Sequence, residues 1–346
     1  MTAIHELKGA RRIISDYKLQ VVITAIFFAI WFAFYVLNPS AFTNPFTYTS
    51  LMSISPYTII PAISLTLVII TGEIDLSFSS IMALGPLIMA MTWQAQGEAS
   101  LLGVILGLLA GLGAGLFNGI LITKLGIPSL IATIGTTFLW RGVVLVATQG
   151  FSIPLGQYRD SMVFSALVGW LGGIPVQFLW TIGLAIIFWL ILNRHRFGAY
   201  IYYIGDNRVA AQMVGINVDR VLISVYAIHG LIAAFAGIIN TLGMATFWPT
   251  LGDIYMLKSV SSVVIGGTPV TGGLGTIYGT FIGGLILEFI EMGVLTSGVT
   301  GFWIRLVHGV VIIVALAAQG ILRRREIIRA RVMRLITTQA TQQSTS

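Results

Sequence analysis

The residues with chemistry to offer are few and lie in apolar surroundings. Glu288 and Glu291 stand three positions apart in one apolar run, and Arg305 and His308 three apart in the next. At that spacing each pair shares a helix face. Arg141 lies deep in another apolar run, and Glu73 and Asp75 flank Ile74 at the end of an earlier one. An ionisable group at membrane depth is a functional candidate and needs a partner. Both signs are available, so the spacing pairs Glu288 or Glu291 with Arg305 as a structural ion pair, with a proton relay as the alternative. Glu73 and Asp75 read as solvated carboxylates at the membrane interface. Gly72 and Ser77 fit a tight turn and a helix start there, with Asp75 or Ser77 as the cap.

Catalytic constellations are missing from the sequence. The histidines at 5, 195, 229 and 308 have no metal-ligand spacing, so no metal site and no cofactor are expected. None of the four lysines, Lys8, Lys18, Lys124 and Lys258, sits in a phosphate-binding GxxxxGK[ST] loop, so the chain should not hydrolyse ATP itself. The G-x-S-x-G context of a serine hydrolase is absent. There is no cysteine, which excludes disulfides, thiolate metal sites and cysteine nucleophiles. The expectation is that this is not an enzyme.

The elements that must position these residues are membrane spans. Of 346 residues, 56% are hydrophobic and only 9% charged, where a soluble domain carries about a quarter. The net charge of +7 does not point to nucleic acid, because the arginines sit beside apolar runs rather than on one basic surface. The reading is an all-α integral membrane protein of about ten crossings, with a basic segment 1–20, a transmembrane domain 21–320 and a basic, then polar, tail 321–346. The spans are read at 21–37, 58–70, 81–93, 101–123, 127–148, 176–192, 221–242, a broken or re-entrant crossing from about 255, 276–295 and 302–319. Residues 38–57 read as a polar loop and 243–258 as a loop holding Phe247, Trp248 and Pro249.

Charge tests the topology. With the N-terminus inside, fifteen of the nineteen Lys and Arg fall on the cytosolic side, two (Arg159 and Lys258) outside, and two (Arg141 and Arg305) within spans. That asymmetry places both termini in the cytosol. Two glycine-rich interruptions, 71–80 and 266–275, take corresponding positions in the two halves. Such pairs point to a central pathway, and an internal inverted repeat with broken or re-entrant segments is an arrangement they allow. Gly103, Gly107, Gly111 and Gly115 recur every four residues, with Gly113 as another small position, and predict close helix packing.

The longest hydrophilic interruption is 194–220, with four arginines. Asn207 is a helix N-cap and Gly215 a stop. Ala210 and Ala211 leave one side of this short helix nearly flat. It either lies on the membrane surface or inserts into a groove of a soluble partner.

The segments TGEIDLSFSS, MALGP, LFNGILITKLGIPSLIATIGT, IGDNRVAAQMVGINVDRV, VIGGTPVTGGLGTIYGTFIGG and FWIRLVHGVVII occur in this order. The ordered set, over about residues 45–320, resembles the ribose/xylose-type permease subunits of bacterial ATP-binding-cassette importers. That resemblance implies a multi-pass protein of the bacterial inner membrane that imports a monosaccharide or polyol. It implies three partners: an ATP-binding subunit, an extracytoplasmic sugar-binding protein and a second permease subunit. It makes Asp206, Asn207, Arg208, Ala210, Ala211, Gly215, Ile216 and Asn217 the segment that contacts the ATPase. A sugar path needs aromatic faces and neutral hydrogen-bonding groups, for which Asn118, Trp140, Asn240, Phe247 and Trp248 are candidates, with Glu291 as added negative charge. The family usually has Gly at the position of Glu73 and often Asn near Glu291, which leaves the sugar open. A nucleoside or branched-chain amino acid permease, or a secondary transporter working alone, are the alternatives.

Overall fold

The computed structural model describes residues 18–298, 302–314 and 317. The helices are α1 (Lys18–Leu37), α2 (Pro39–Phe42), α3 (Pro45–Ile54), α4 (Pro56–Ile70), α5 (Phe78–Gln96), α6 (Leu101–Lys124), α7 (Ser129–Thr148) and α8 (Met162–Val168). They continue as α9 (Val176–Arg194), α10 (Arg196–Asp206), α11 (Arg208–Met213), α12 (Val218–Gly243), α13 (Asp253–Ile265) and α14 (Ile277–Thr296), then α15 (Phe302–Val314). Two small ribbons pair β1 (Ile153–Pro154) with β4 (Thr246–Phe247) and β2 (Trp170–Leu171) with β3 (Ile174–Pro175).

Seven of these helices are long and apolar enough to cross a membrane, and the α3–α4 pair, bent by 46°, makes an eighth candidate among the described residues. An apolar helix suits hydrocarbon because its backbone polar groups are bonded within the segment. The 13 residues of α13 reach only about 20 Å at 1.5 Å per residue, short of a hydrocarbon core of about 30 Å. α13 is thus too short to cross alone. Residues 38–57 depart from the expected loop: they hold α2, α3 and the start of α4. Each of these helices opens with proline at its first position, and Asn38 and Asn44 cap the first two. Residues 243–258 depart likewise, since Lys258 lies on α13 rather than in a loop.

The core is built around α4, all fifteen residues of which are buried. It packs against α9, α12, α13 and α14. The glycine row of α6 lets α5 and α12 approach closely: a methyl group on Gly107 would meet the Gly85 carbonyl, and one on Gly115 would overlap the Tyr226 carbonyl. Gly113 does not belong to this seam, because nothing lies within 4 Å of its outward face. Gly119 replaces it, against Ile223.

Contacts sort the connections onto two ends of the bundle. At one end Lys124 Nζ donates to Asp219 at 2.6 Å, Tyr202 Oη to the Gly275 carbonyl at 2.7 Å and the Ile74 amide to Ser129 Oγ at 3.2 Å. At the other, Asn38 Nδ2 donates to the Thr296 carbonyl at 2.7 Å and Tyr158 Oη to the Trp93 carbonyl at 3.1 Å, beside the β1–β4 ribbon. The two glycine-rich interruptions lie at the first end and touch: the Gly273 amide donates to the Ile70 carbonyl at 2.9 Å.

Candidate functional site

The link 71–77 between α4 and α5 is irregular backbone tied to several helices. Gly72 turns it at φ +81°. Ile74 ties it to two helices, its amide on Ser129 of α7 and its carbonyl accepting from Tyr226 Oη of α12 at 3.2 Å. Asp75 is fully buried, so the solvated reading fails for it. Its Oδ1 accepts from the Ser77 amide at 2.8 Å and from Ser77 Oγ at 2.7 Å, and Asn118 Nδ2 donates to Ser77 Oγ at 2.6 Å. Its Oδ2 has no hydrogen-bond partner among the described residues. Burial pushes the Asp75 carboxyl up to about 6, against the opposing pull of those donors. Glu73 is only 8% exposed, so it too is not solvated. Arg208 Nη2 donates to its Oε1. The reason is shared: the elbow described next covers this link from outside.

That elbow is two helices, α10 and α11, rather than one. Asn207 Oδ1 accepts from the Ala210 amide at 3.0 Å, the expected cap, and Asn217 Oδ1 caps α12 through the Arg220 amide at 3.0 Å. Gly215 takes φ +86°, and the Ile216 amide donates to the Ala211 carbonyl at 3.0 Å. Ala210 and Ala211 do not form one flat outer side. Ala211 is 2% exposed and packs with Ile216 onto this chain, while Ala210 faces out with Asp206. The outer face of α11 is instead an apolar knob of Val209, Met213 and Val214, at 59%, 82% and 74% exposure. Gly205 seats the elbow on both interruptions: a methyl there would overlap the Ile70 carbonyl and crowd the Gly273 amide. Gly205, Ser129 and Tyr226 are uncharged, and no local spacing in the sequence signals their contacts.

The buried charges gather elsewhere, in a cleft of about 580 Å³ between α13, α14 and α15 lined by Asp253, Lys258, Ser261, Glu291, Arg305 and His308. Lys258 Nζ donates to Glu291 Oε2 and lies 4.0 Å from Glu288 Oε1, and His308 Nε2 is 3.7 Å from Glu291 Oε2. Thr58 Oγ1 donates to Glu288 Oε1 at 2.6 Å. The expected pairing with Arg305 is therefore wrong. Lys258 points into the α13–α14 seam and reaches both acids first, while Arg305 is exposed and makes no ion pair among the described residues. Arg141 finds its partner in Asp253, at 2.5 Å, and also donates to the carbonyls of Leu251 (3.1 Å), Ser79 (3.3 Å) and Pro249.

The remaining path candidates fall in separate parts of the described structure. Asn118 belongs to the Asp75–Ser77 network. Trp140 is half-buried on α7, edge-on to Phe117 at 5.8 Å. Asn240 is fully buried in α12, and Phe247, also fully buried, sits in the β1–β4 ribbon, with half-buried Trp248 following it. Only Glu291 lines the charged cleft.

Apolar spans, a glycine-broken pair of crossings, internal charges held in pairs and a helical elbow at one end together define a polytopic membrane transport component. Residues 47–316 match the family described as the branched-chain amino acid transport system / permease component, and the chain belongs to that family. The ribose import permease of Bacillus subtilis (strain 168) is 40% identical over 281 residues, 81% of this chain and 86% of that protein. The fructose import permease of Rhizobium meliloti is 33% identical, covering 84% of this chain and 82% of its own. The D-allose transport system permease of Escherichia coli (strain K12) is 31% identical, covering 83% and 87%. No solved structure matches the chain.

Proposed function

We propose that this chain is the membrane subunit of an ATP-driven importer for a neutral monosaccharide or related polyol in the bacterial inner membrane. The relatives import ribose, fructose and allose, three uncharged sugars. The observation that carries the location of the path is the contrast between the centre and one flank. The fifteen buried residues of α4 fill the middle of the chain, while the charged cleft opens between α13, α14 and α15. The path runs along that flank and is completed by a second permease subunit. Balanced charge suits a neutral polyol: Glu291 accepts from hydroxyls and Lys258 and Arg305 donate to them, with no net charge to be matched.

The elbow supports the energy source. Its knob of Val209, Met213 and Val214 is an exposed apolar patch on a short helix outside the spans, and it fits a groove on an ATP-binding subunit. An extracytoplasmic sugar-binding protein delivers the substrate at the opposite end. Both termini and the elbow lie in the cytosol, with ten crossings once α13 and α15 are counted.

The test is reconstitution with an ATP-binding subunit and an extracytoplasmic sugar-binding protein as partners. ATP-dependent uptake of radiolabelled ribose, fructose or allose supports the reading. Uptake driven by an ion gradient with no ATP-binding subunit present contradicts it.

A further inference from the structure

Among the described residues, one ion pair, Glu73 with Arg208, ties α11 to the body of the bundle. It joins the elbow to the link between α4 and α5 and lies away from the cleft. Glu73 has 10% of its side chain exposed and Arg208 46%, so one partner is held in the protein and the other reaches in from the surface. A helix of six residues such as α11 is not stable alone and takes its position from tertiary contacts. Those contacts are Ala211 and Ile216 on the inner side and Arg208 at the first turn.

The other end of the pair leads straight into the broken spans. Glu73 is followed by Ile74, whose amide and carbonyl are bonded to α7 and α12. It is preceded by Gly72, beside which a methyl on Gly272 would crowd the backbone at 2.6 Å. Two residues on, Asp75 binds Ser77 and through it Asn118 of α6. A displacement of α11 thus reaches three spans and the second interruption through one side-chain contact.

We propose that Glu73 is a positioning residue for ATP-coupled transport, holding α11 through Arg208 so that movement of the elbow is passed to the glycine-broken crossings. The role rests on the ATP-driven reading given above. In this chain the elbow is latched by charge, and the latch selects the position in which the elbow rests on Ile70 and Gly273 together.

Two measurements decide it. In vesicles with the ATP-binding subunit and binding protein, sugar carried per ATP hydrolysed should fall about tenfold in Glu73→Gln and in Arg208→Gln, within the usual range of coupling between sites. The charge-exchanged double variant, Glu73→Arg with Arg208→Glu, should recover at least half of that loss. In the permease subunit alone, a spin label at Met213→Cys should become more mobile in Glu73→Gln and regain wild-type mobility in the exchanged variant. An unchanged ratio with unchanged mobility overturns the proposal, as does an exchanged variant that restores neither. A wild-type complex without substrate-stimulated ATP turnover would sink the ATP-driven reading instead, and the label's mobility would still decide whether the latch exists.

Discussion

Lys258 and Glu291 close an ion pair across the seam between α13 and α14, with Glu288 at 4.0 Å from the same ammonium. One cation therefore serves two acids, one of them only 4% exposed. Arg305, on α15, is left free to face the cleft.

Lys258→Ala should therefore destabilise the protein more than Arg305→Ala. Removing Lys258 strands two carboxylates, at a cost of up to about 3–5 kcal/mol for a buried pair. Arg305→Ala should fold normally and alter transport. Thermal unfolding in detergent, followed by size-exclusion chromatography, separates the two. Equal melting of both variants would contradict the pairing. Replacing all three groups, Lys258→Met with Glu291→Leu and Glu288→Gln, should recover most of the stability lost, since no lone charge remains.

At the elbow, the two alanines should behave differently. Ala211→Trp overfills a packed site and should lower stability by about 1–3 kcal/mol. Ala210→Trp should leave the isolated permease intact. Met213→Asp, on the exposed knob, should weaken co-purification with the ATP-binding subunit about tenfold or more, which corresponds to about 1.4 kcal/mol. Normal co-purification of Met213→Asp would remove the knob from the interface.

Asp75 gives a pH signature. It lies in the link between α4 and α5, outside both helices, and burial raises its carboxyl from 3.8 to about 6. The folded state thus prefers the protonated form. The stability this contributes is fully present below about pH 4 and is lost as pH rises through about 6. Asp75→Asn removes the titration and keeps an acceptor for Ser77. Its melting temperature should exceed that of wild type at pH 7 and converge with it near pH 4. A constant difference across that range would show that Asp75 is not held as an acid.

The spans and the caps were legible in the sequence because each is written locally. Apolar runs mark the long helices, Asn207 and Gly215 punctuate α11, and the glycine period marks the α6 seam. What was not legible depends on how helices are rotated and what covers them. Glu291 pairs with Lys258 and not Arg305 because α13 turns its lysine inward, which no spacing within either segment reveals. Glu73 and Asp75 appear interfacial until the elbow is folded over them. The segment 38–57 is a different failure, since the signal was present. Asn38-Pro39, Asn44-Pro45 and Ser55-Pro56 each place proline at the first turn of a helix, a position that proline favours. Three prolines in a polar stretch were helix starts rather than loop markers.

Passage of sugar along the flank formed by α13, α14 and α15 can be tested directly. Leu257 lines the cleft there and is 62% exposed, and the chain has no cysteine of its own. The direct measurement is modification of Leu257→Cys by a membrane-impermeant thiol reagent during ATP-driven sugar uptake in vesicles, with Ile186→Cys on the apolar outer side of α9 as the control. Modification at Leu257→Cys should block uptake, and its rate should change when the sugar-loaded binding protein and ATP are present, while Ile186→Cys vesicles should transport normally after the same treatment. Full uptake by a fully modified Leu257→Cys protein would contradict passage along this flank.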